Sequence, residues 1–215
     1  MRTKYHREIT SKALAPYFSH RALSVIVRAN IWQDSLLGQI GHDEFHFDNN
    51  AIEQSCMYIQ KQHELVIANL EEHRAIKAWR AMGRLTHAAQ DFYAHSNYIA
   101  LWIIGLNNKE PNLKHLSFID NSIINNPDFH SAKTYLPLDY FALIPKLGTI
   151  FKNLLPKDSH AWMNLDSPES GKPFRWAFHA AVKRTHYEYT EIIKIVQKKD
   201  SALLPIFSDL VLKKY

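Results

Sequence analysis

Three side chains that commonly bind metals recur every fourth residue in the middle of the chain: His87, Asp91 and His95. The stretch that carries them, residues 83–97, has no proline and no interior glycine. It is therefore predicted to be helical, with the three side chains in one row. His87 and His95 then lie roughly 12 Å apart along the helix axis, whereas a Zn–N bond is only about 2 Å long. We expect two metal centres rather than one, bridged by the two oxygens of Asp91.

The opposite face of this predicted helix is apolar and carries Leu85, Ala89 and Phe92. Such a pattern is typical of a helix that packs one face into a core while the other lines a cleft. The alternative is a surface helix whose histidines and aspartate are simply solvated. The triplet alone favours neither interpretation, so side chains elsewhere in the chain must decide between them.

The composition limits the kind of site that this chain can build. Its 215 residues, 46% hydrophobic and 22% charged, are typical of one globular domain with a substantial core. Thirteen histidines accompany a single cysteine, Cys56. This count argues against a disulfide framework and against a cysteine-built zinc site. Histidine and carboxylate are the ligands that remain.

Charge and hydropathy indicate the environment and the partners. The formal net charge of +5 favours anionic partners such as phosphodiesters or lipid headgroups, although many proteins that bind neither share it. No apolar run approaches the ~20 residues of a membrane span, and the first residues lack the apolar core of a signal peptide. We expect a cytoplasmic protein without a transmembrane segment, and signal-independent export is the alternative.

The hydrophobic periodicity predicts an all-α fold, a single-domain helical bundle over residues 1–215. A metal cleft is expected on its central helix. Proline in the first turn suits the last long helix, whereas Pro145 is expected to kink or split the helix that contains it. The predicted helices cover residues 6–18, 20–34, 50–73, 76–104, 138–155 and 173–196, with a short helix in the tail 200–215.

One segment between these helices has a distinct composition. Residues 105–137 are rich in Asn, Lys and Pro, and we interpret them as a long excursion within the one domain.

Asn50 followed by Glu53 resembles a capping box for the helix 50–73. Asp48 and Asn49 are then expected to serve only the turn before that helix.

Further candidate ligands lie outside the central helix. His6 falls in the first turn of the first helix, and His46 lies in a polar segment between two bulky phenylalanines. Asp34 comes late in the second helix, where a carboxylate opposes the helix dipole unless a cation compensates it. For Asp34 alone, a solvated side chain is the plainer interpretation. His160 and Asp166 lie in the last polar loop.

Together these residues resemble the zinc-dependent phospholipase C and S1/P1 nuclease superfamily. Within it they are most similar to the Het-C-like branch, with its Het-C-type fungal incompatibility proteins and related bacterial and VWA7-type proteins. The most specific stretch is Gly83-x-x-x-His87-x-x-Gln90-Asp91-Phe92-Tyr93-x-His95-Ser96-Asn97. Nearly the whole chain takes part in the resemblance, because five further pieces agree in order: His6-Arg-Glu-Ile9-Thr10, Ala29-Asn30 with Asp34, His46-Phe47-Asp48-Asn49, Ser159-His160, and Asn164-Leu-Asp166.

The resemblance implies an all-α fold whose cleft holds two to three zinc ions. Asp91 would bridge the first zinc to a second that His6 also holds, and His95 would hold the third. Secreted relatives use an N-terminal tryptophan where this chain has Met1. Neither histidine of the last long helix is followed by the expected glutamate four residues later, so we assign His160 and Asp166 to the third site. The first zinc would be held by Asp34, His46, His87 and Asp91.

The activity that the resemblance implies is zinc-dependent hydrolysis of a phosphodiester, of the phospholipase C type. Zinc lowers the pKa of a bridging water toward neutrality, and Asp34 is the candidate catalytic residue that orients this water or takes its proton. A phospholipid or another anionic phosphodiester is the expected substrate.

Peripheral membrane contact is expected through the apolar run at residues 98–106, which could equally be the buried end of the helix. Three alternatives to the phospholipase stay open. They are an S1/P1-like nuclease acting on nucleic acid, an HD-type phosphohydrolase built on His42 and Asp43, and a non-catalytic Het-C-like helical interaction protein.

Overall fold

The structure is a computed structural model that describes residues 1–142 and 148–210. Within these ranges the chain is all-α, as predicted, and forms no β-strand. Single 3-10 turns occur at Ala15–Tyr17 and Pro168–Ser170. The helices are α1 Thr3–Leu14, α2 His20–Trp32, α3 Leu36–Gln39, α4 Asp43–His46, α5 Ile52–Glu71, α6 Ala75–His95, α7 Tyr98–Gly105, α8 Asn121–Ile124, α9 Leu138–Ala142, α10 Gly148–Leu154, α11 His160–Met163, α12 Pro173–Lys199 and α13 Leu203–Ser208.

Helix α6 forms the centre of the molecule and packs against α2, α5 and α12. From Leu85 to His95 it is buried on every side, not only on its apolar face. Gly83 permits the close approach of α2, because a Cβ there would overlap the backbone of Ile26 and Asn30. Polar side chains on this stretch of α6 must therefore find partners inside the protein. The interpretation of α6 as a solvated surface helix is wrong.

The central helix is shorter than predicted. Instead of running to residue 104 it ends at His95, and α7 starts at Tyr98. Ser96 is extended, with φ −111° and ψ 165°, and the Asn97 amide donates to the carbonyl oxygen of His130. Hydropathy does not detect this break, because side-chain and long-range hydrogen bonds compete here with the helical ladder.

The predicted capping box at the start of α5 does not form. Ala51 is the N-cap residue and α5 begins at Ile52, without a side-chain cap. Asn50 instead adopts a left-handed backbone conformation with φ 56°, and its side-chain oxygen accepts a hydrogen bond from the Ser131 amide at 2.7 Å. A partner from the excursion thus replaces the local one.

The other predicted helices are found with adjusted ends. The helix predicted at 20–34 ends at Trp32, and the one predicted at 6–18 is α1, which begins at Thr3 and ends at Leu14. The last long helix begins at Pro173 as predicted and ends at Lys199. The helix predicted at 138–155 corresponds to α9 and α10. The kink expected at Pro145 lies outside the described residues. The tail helix is present as α13, and the tail beyond Leu210 lies outside the described residues too.

The apolar run at residues 98–106 packs into the core. Tyr98, Ile99 and Trp102 are all buried, whereas Ile104 is 70% exposed. The plainer interpretation of this run is therefore the right one, and it forms no exposed aromatic rim beside the cleft. Among the helices that the structure describes, none is long and apolar enough to cross a bilayer.

A group of buried polar and charged side chains joins α5 to α12. His63 Nε2 lies 2.5 Å from Glu188 Oε2, and the Arg184 guanidinium donates to the other oxygen of the same carboxylate. Glu188 is almost fully buried. This group is an internal ion-pair network of the bundle.

Candidate metal centre

Four metal-type side chains meet where α1, α2 and α6 approach one another, and we call them the inner cluster. Each offers a ligand atom within 4.8 Å of the others. His6 Nε2 lies 3.1 Å from Asp91 Oδ1, and His87 Nε2 lies 3.1 Å from the other oxygen, Oδ2. His87 Nε2 also lies 3.8 Å from Asp34 Oδ1. His6, His87 and Asp91 are completely buried. The inner cluster consists of His6, Asp34, His87 and Asp91.

A second set, which we call the outer cluster, lies one helical turn further along α6. It consists of Asp48, His95 and His160, whose ligand atoms also lie within 4.8 Å of one another. His95 Nε2 is 3.3 Å from His160 Nε2, and His95 Nδ1 is 3.5 Å from Asp48 Oδ1. Asp166 flanks the cluster, with its Oδ1 3.1 Å from His95 Nε2.

His46 and Met1 lie between the two clusters. His46 Nδ1 is 3.0 Å from Asp91 Oδ2, while its Nε2 is 3.2 Å from the carbonyl oxygen of Gly38. The Met1 amino group contacts Asp91 and lies 3.2 Å from Asp166 Oδ1. All the residues that the sequence suggested as ligands therefore lie in or beside one continuous site: His6, Asp34, His46, His87, Asp91, His95, His160 and Asp166.

Sequence analysis missed Asp48 as a potential ligand. The sequence predicts Asp48 only as a residue of the turn before α5, but its carboxylate faces His95. The turn that brings it there depends on Phe47, which is buried and adopts a left-handed conformation with φ 57°. A carboxylate two residues after His46 was the available signal, and local propensity gave no reason for Phe47 to take this strained backbone.

Gln90 was also missed, as a side chain that orients a ligand. Its Oε1 lies 2.6 Å from His6 Nδ1, and its amide nitrogen donates to the hydroxyls of Thr10 and Thr185. This network fixes the His6 ring with Nε2 toward Asp91. Second partners of this kind set the tautomer and orientation of metal-binding histidines. The position directly before Asp91 in the central motif was the only hint.

The buried charges of the site are mutually dependent. Burial raises the pKa of Asp91, but the Met1 amino group and the surrounding imidazoles outweigh it and hold this pKa well below its usual value. Burial and the neighbouring His6 ring lower the pKa of His87 to about 3. Asp91 is thus an anion and His87 a neutral imidazole, which are the forms that bind zinc.

The donor set fits a transition metal such as zinc. Histidine nitrogen and carboxylate oxygen are common zinc ligands, and the inner cluster has the four donors of a closed site. Three buried atoms in the clusters make no hydrogen bond to any residue that the structure describes: His6 Nε2, His87 Nδ1 and Asp48 Oδ1. Buried polar atoms nearly always have a partner. Of these three, His6 Nε2 faces Asp91 and Asp48 Oδ1 faces His95, as ligand atoms of a metal ion would.

The two clusters differ in their access to solvent. A cleft of about 460 Å³ is lined by Asp48, His95 and His160 of the outer cluster, whereas only Asp34 of the inner cluster reaches it. Exposed aliphatic side chains flank its mouth, with Ile40 61% and Leu136 62% exposed. A ligand in the cleft would therefore meet the outer cluster first.

The HD-type alternative does not account for this site. The His42 ring stacks on Phe45 at 4.3 Å between centroids, and its Nδ1 lies 3.2 Å from Glu44 Oε1. Neither His42 nor Asp43 belongs to the inner or the outer cluster. Arg84, which lies one turn before His87, donates its Nε–H to Gln62 Oε1 and is held within the bundle.

Comparisons with known proteins identify a family for more than half of the chain. The family model described as the VWA7 N-terminal domain matches residues 5–128. Von Willebrand factor A domain-containing protein 7 from Mus musculus is 32% identical over 106 residues, which are 46% of this chain. The chain spans only 12% of that mouse protein. No solved structure matches the chain.

These matches correct the family and the activity expected from the sequence. The assignment to the zinc-dependent phospholipase C and S1/P1 nuclease superfamily, Het-C-like branch, is wrong, because the family that matches is the VWA7 N-terminal domain and not a phospholipase C or S1/P1 nuclease family. The predicted hydrolase, a phospholipase C-like phosphodiesterase, is wrong on the same finding. With it goes the catalytic role of Asp34, which stays a candidate ligand.

The physical reason for the error lies in the central motif. A row of His, Asp and His on a buried helix is what any helix needs to present ligands to metal ions, so it indicates a metal site without specifying a reaction. The match over residues 5–128 decides the family instead: the chain belongs to the VWA7 N-terminal domain family.

Proposed function

We propose that this chain is a zinc-binding helical domain whose ions bind an anionic group of a partner in the cleft. The observation that carries the proposal is the convergence of ligand-type side chains from separate parts of the chain on two adjoining clusters. They come from α1, the end of α2, the turn after α4, α6 and α11. Chance placement of solvated histidines does not bury them together beside carboxylates.

Charge balance supports bound cations. Asp34, Asp48, Asp91 and Asp166 all lie in or beside the two clusters, and Asp91 is fully buried. The Met1 amino group and the nearby imidazoles compensate part of this negative charge, and bound cations would compensate the rest. Two zinc ions would supply four positive charges, and a third ion beside His46 is compatible with the donors present there.

The two clusters suit different roles for the metal. The inner cluster has four donors, three of them on completely buried side chains, which is typical of a structural zinc site. The outer cluster has three donors and lies on the cleft, so an ion there keeps a position open to an exogenous ligand. A carboxylate or phosphate group would fit that position, and the exposed Ile40 and Leu136 would contact an apolar part of the same partner.

Metal analysis of the purified protein tests the first part of this proposal. Protein prepared without chelator and measured by inductively coupled plasma mass spectrometry is expected to contain two to three zinc ions per chain. The Asp128→Ala variant, which alters an exposed carboxylate of the excursion, serves as the control and is expected to keep them. A wild-type protein without transition metal would contradict the proposal.

Titration with inorganic phosphate and with acetate tests the second part. Calorimetry is expected to show binding of at least one of these anions to the zinc-loaded protein and not to the chelated protein. Zinc-loaded protein that binds neither anion would leave the metal with a structural role only, and the proposed partner site would be withdrawn.

A further inference from the structure

A second cavity lies on another part of the molecule, between α1, α7 and the start of α12. Its volume is about 880 Å³, and among the described residues it shares no lining side chain with the metal cleft. This volume falls within the roughly 300–1,000 Å³ that is usual for small-molecule sites. We call this cavity the α12 groove. Apolar side chains make up much of its lining: Tyr5, Ile103, Phe174, Trp176 and Phe178, with Pro111, Pro168 and Pro173 at its edges.

The aromatic lining of the α12 groove is held in place by contacts within the core. The Tyr5 and Phe174 rings meet edge to face at 4.8 Å between centroids, and Trp176 packs against Trp102 at 5.5 Å. Phe174 and Phe178 are themselves buried, and Trp176 is partly exposed toward the groove. Packed rings of this kind keep a groove open without having to rearrange when a ligand enters.

The charges around this apolar lining are mostly positive. Lys172 and Arg175 line the groove directly, and Glu8 is the acidic residue that lines it. Lys12 Nζ lies 5.8 Å from the centre of the Phe178 ring, and Lys4 Nζ lies 5.5 Å from that of Tyr5. The N-terminal end of the 27-residue helix α12 adds the positive end of its dipole. An apolar ligand with a negative group is therefore the complementary one.

The surroundings of His179 agree with this distribution of charge. Burial lowers the pKa of this ring, and the positive charges of Lys12, Arg175 and Lys183 lower it further. His179 itself lines the groove, so these cations act on the space that a ligand would occupy. The geometry of the cavity and the sign of its surroundings thus agree.

We propose that the α12 groove binds a single anionic amphiphile, a molecule with an apolar chain or ring system and one carboxylate or sulfonate. The apolar part lies on Phe174, Trp176 and Ile103, and the anionic group pairs with Lys172 and Arg175. The volume of this open groove suits one such molecule, whereas a bilayer needs a protruding apolar surface. This binding is independent of the metal centre.

Binding of three probes with the same apolar tail tests the proposal. Dodecanoate, dodecanol and dodecyltrimethylammonium, each kept below its aggregation concentration, are titrated into the metal-loaded full chain by calorimetry. We expect one dodecanoate per chain, because it alone carries a negative group that can pair with Lys172 and Arg175. Its affinity should be at least about tenfold higher than that of either other probe, a difference of about 1.4 kcal/mol. Equal affinity for all three probes, or no binding, would overturn the proposal.

Two variants on α12 locate the binding site. Arg175→Glu is expected to weaken dodecanoate binding by about tenfold or more. Lys198→Glu is the matched control, because it makes the same charge change on an exposed residue at the other end of the same helix. It is expected to leave binding unchanged. Equal losses in the two variants would show attraction to net charge rather than to the groove, and would refute the site.

Two further probes separate the amphiphile from larger partners. Vesicles containing phosphatidylglycerol and a peptide of alternating glutamate and leucine are offered to wild type and to Arg175→Glu. If either of them binds in an Arg175-dependent way while dodecanoate does not, the groove belongs to a membrane or peptide contact and the proposal fails. Dodecanoate binding that survives in chelated, still-folded protein confirms its independence from the metal.

Discussion

The inner and outer clusters use the same side-chain types yet differ in how the chain builds them. The inner cluster takes its ligands from α1, α6 and the residue two positions after α2, and three of its four side chains are completely buried. In the outer cluster only His95 belongs to a long helix, whereas Asp48 follows the one-turn helix α4 and His160 begins the one-turn helix α11. We therefore expect the inner cluster to contribute more to the stability of the fold, whereas the outer cluster is the one that a ligand in the cleft can reach.

Asp91 connects the two clusters, so its removal is expected to have the largest effect. Asp91→Ala should lower the zinc content at both sites and the free energy of unfolding by roughly 4 kcal/mol, the contribution of one ion held at about a thousand times its dissociation constant. Metal analysis and urea denaturation measure the two effects. The control is Asp128→Ala, and a metal content equal to wild type in Asp91→Ala would contradict the bridging role.

A substitution at Glu188 tests whether a buried ion-pair network without metal contributes to stability as much as the inner and outer clusters do. Glu188→Gln leaves the buried Arg184 without its carboxylate and is expected to cost about 3 kcal/mol while the zinc content stays unchanged. Glu191→Gln, which affects an exposed pair with Lys194, is the control and should cost less than about 1 kcal/mol. Zinc loss in Glu188→Gln would show that the network and the clusters are one unit.

The same variant has a predicted pH dependence. Burial raises the pKa of Glu188, but the hydrogen bond with His63 and the charge of Arg184 outweigh it and leave the pKa below its usual 4.5. A lowered folded-state pKa stabilises the protein above pH 4.5, and this contribution is lost as the pH falls through the folded-state value. Stability of Glu188→Gln should therefore fall less steeply than wild type below pH 4.5 in denaturation series.

His160 tests the outer cluster alone, with a smaller expected effect. His160→Ala should remove one zinc per chain and abolish anion binding in the cleft, because it leaves two donors. The unfolding free energy should change by no more than about 1 kcal/mol if this ion is weakly held. His115→Ala, an exposed histidine in the excursion, is the matched control. Loss of every zinc ion in His160→Ala would mean that the two clusters cannot be distinguished.

The smallest effect is expected at Thr3, which touches the inner cluster from outside. Its hydroxyl donates to Asp34 Oδ2 at 2.9 Å. Thr3→Val should weaken zinc at the inner cluster by about tenfold, the lower end of the range for side chains that orient a ligand. Thr3→Ser keeps the hydroxyl and should behave as wild type. Competition with a chromophoric chelator measures the difference, and unchanged affinity in Thr3→Val would show that Asp34 needs no such support.

Sequence reasoning found the part of the site that regular helices specify. The spacing of His87, Asp91 and His95 defines their common face once α6 is a helix, and the helix follows from composition alone. The role of Asp48 as a candidate ligand was not predicted, because its position depends on the left-handed backbone of Phe47. The end of α6 at His95 escaped because it depends on hydrogen bonds to the excursion.

The function was less predictable than the fold for a related reason. Helical periodicity determines which side chains face inward, and the all-α bundle follows from it. The reaction depends on what enters the cleft, and the same ligands at His6, His87 and Asp91 serve a structural ion as well as a catalytic one. Residue types therefore indicated a candidate metal site but not the chemistry, and the expected hydrolase was wrong.

The distance along the chain between the inner ligands determines when during folding a metal ion can be held. His6 and its partner Gln90 are 84 residues apart in sequence. Contacts between such distant segments form late, because chain closure must precede them. A zinc ion at the inner cluster would therefore bind to a nearly assembled bundle and stabilise it only at the end of folding. A chain made during zinc shortage would lack this contribution to its stability, and it would be the form most easily opened and degraded.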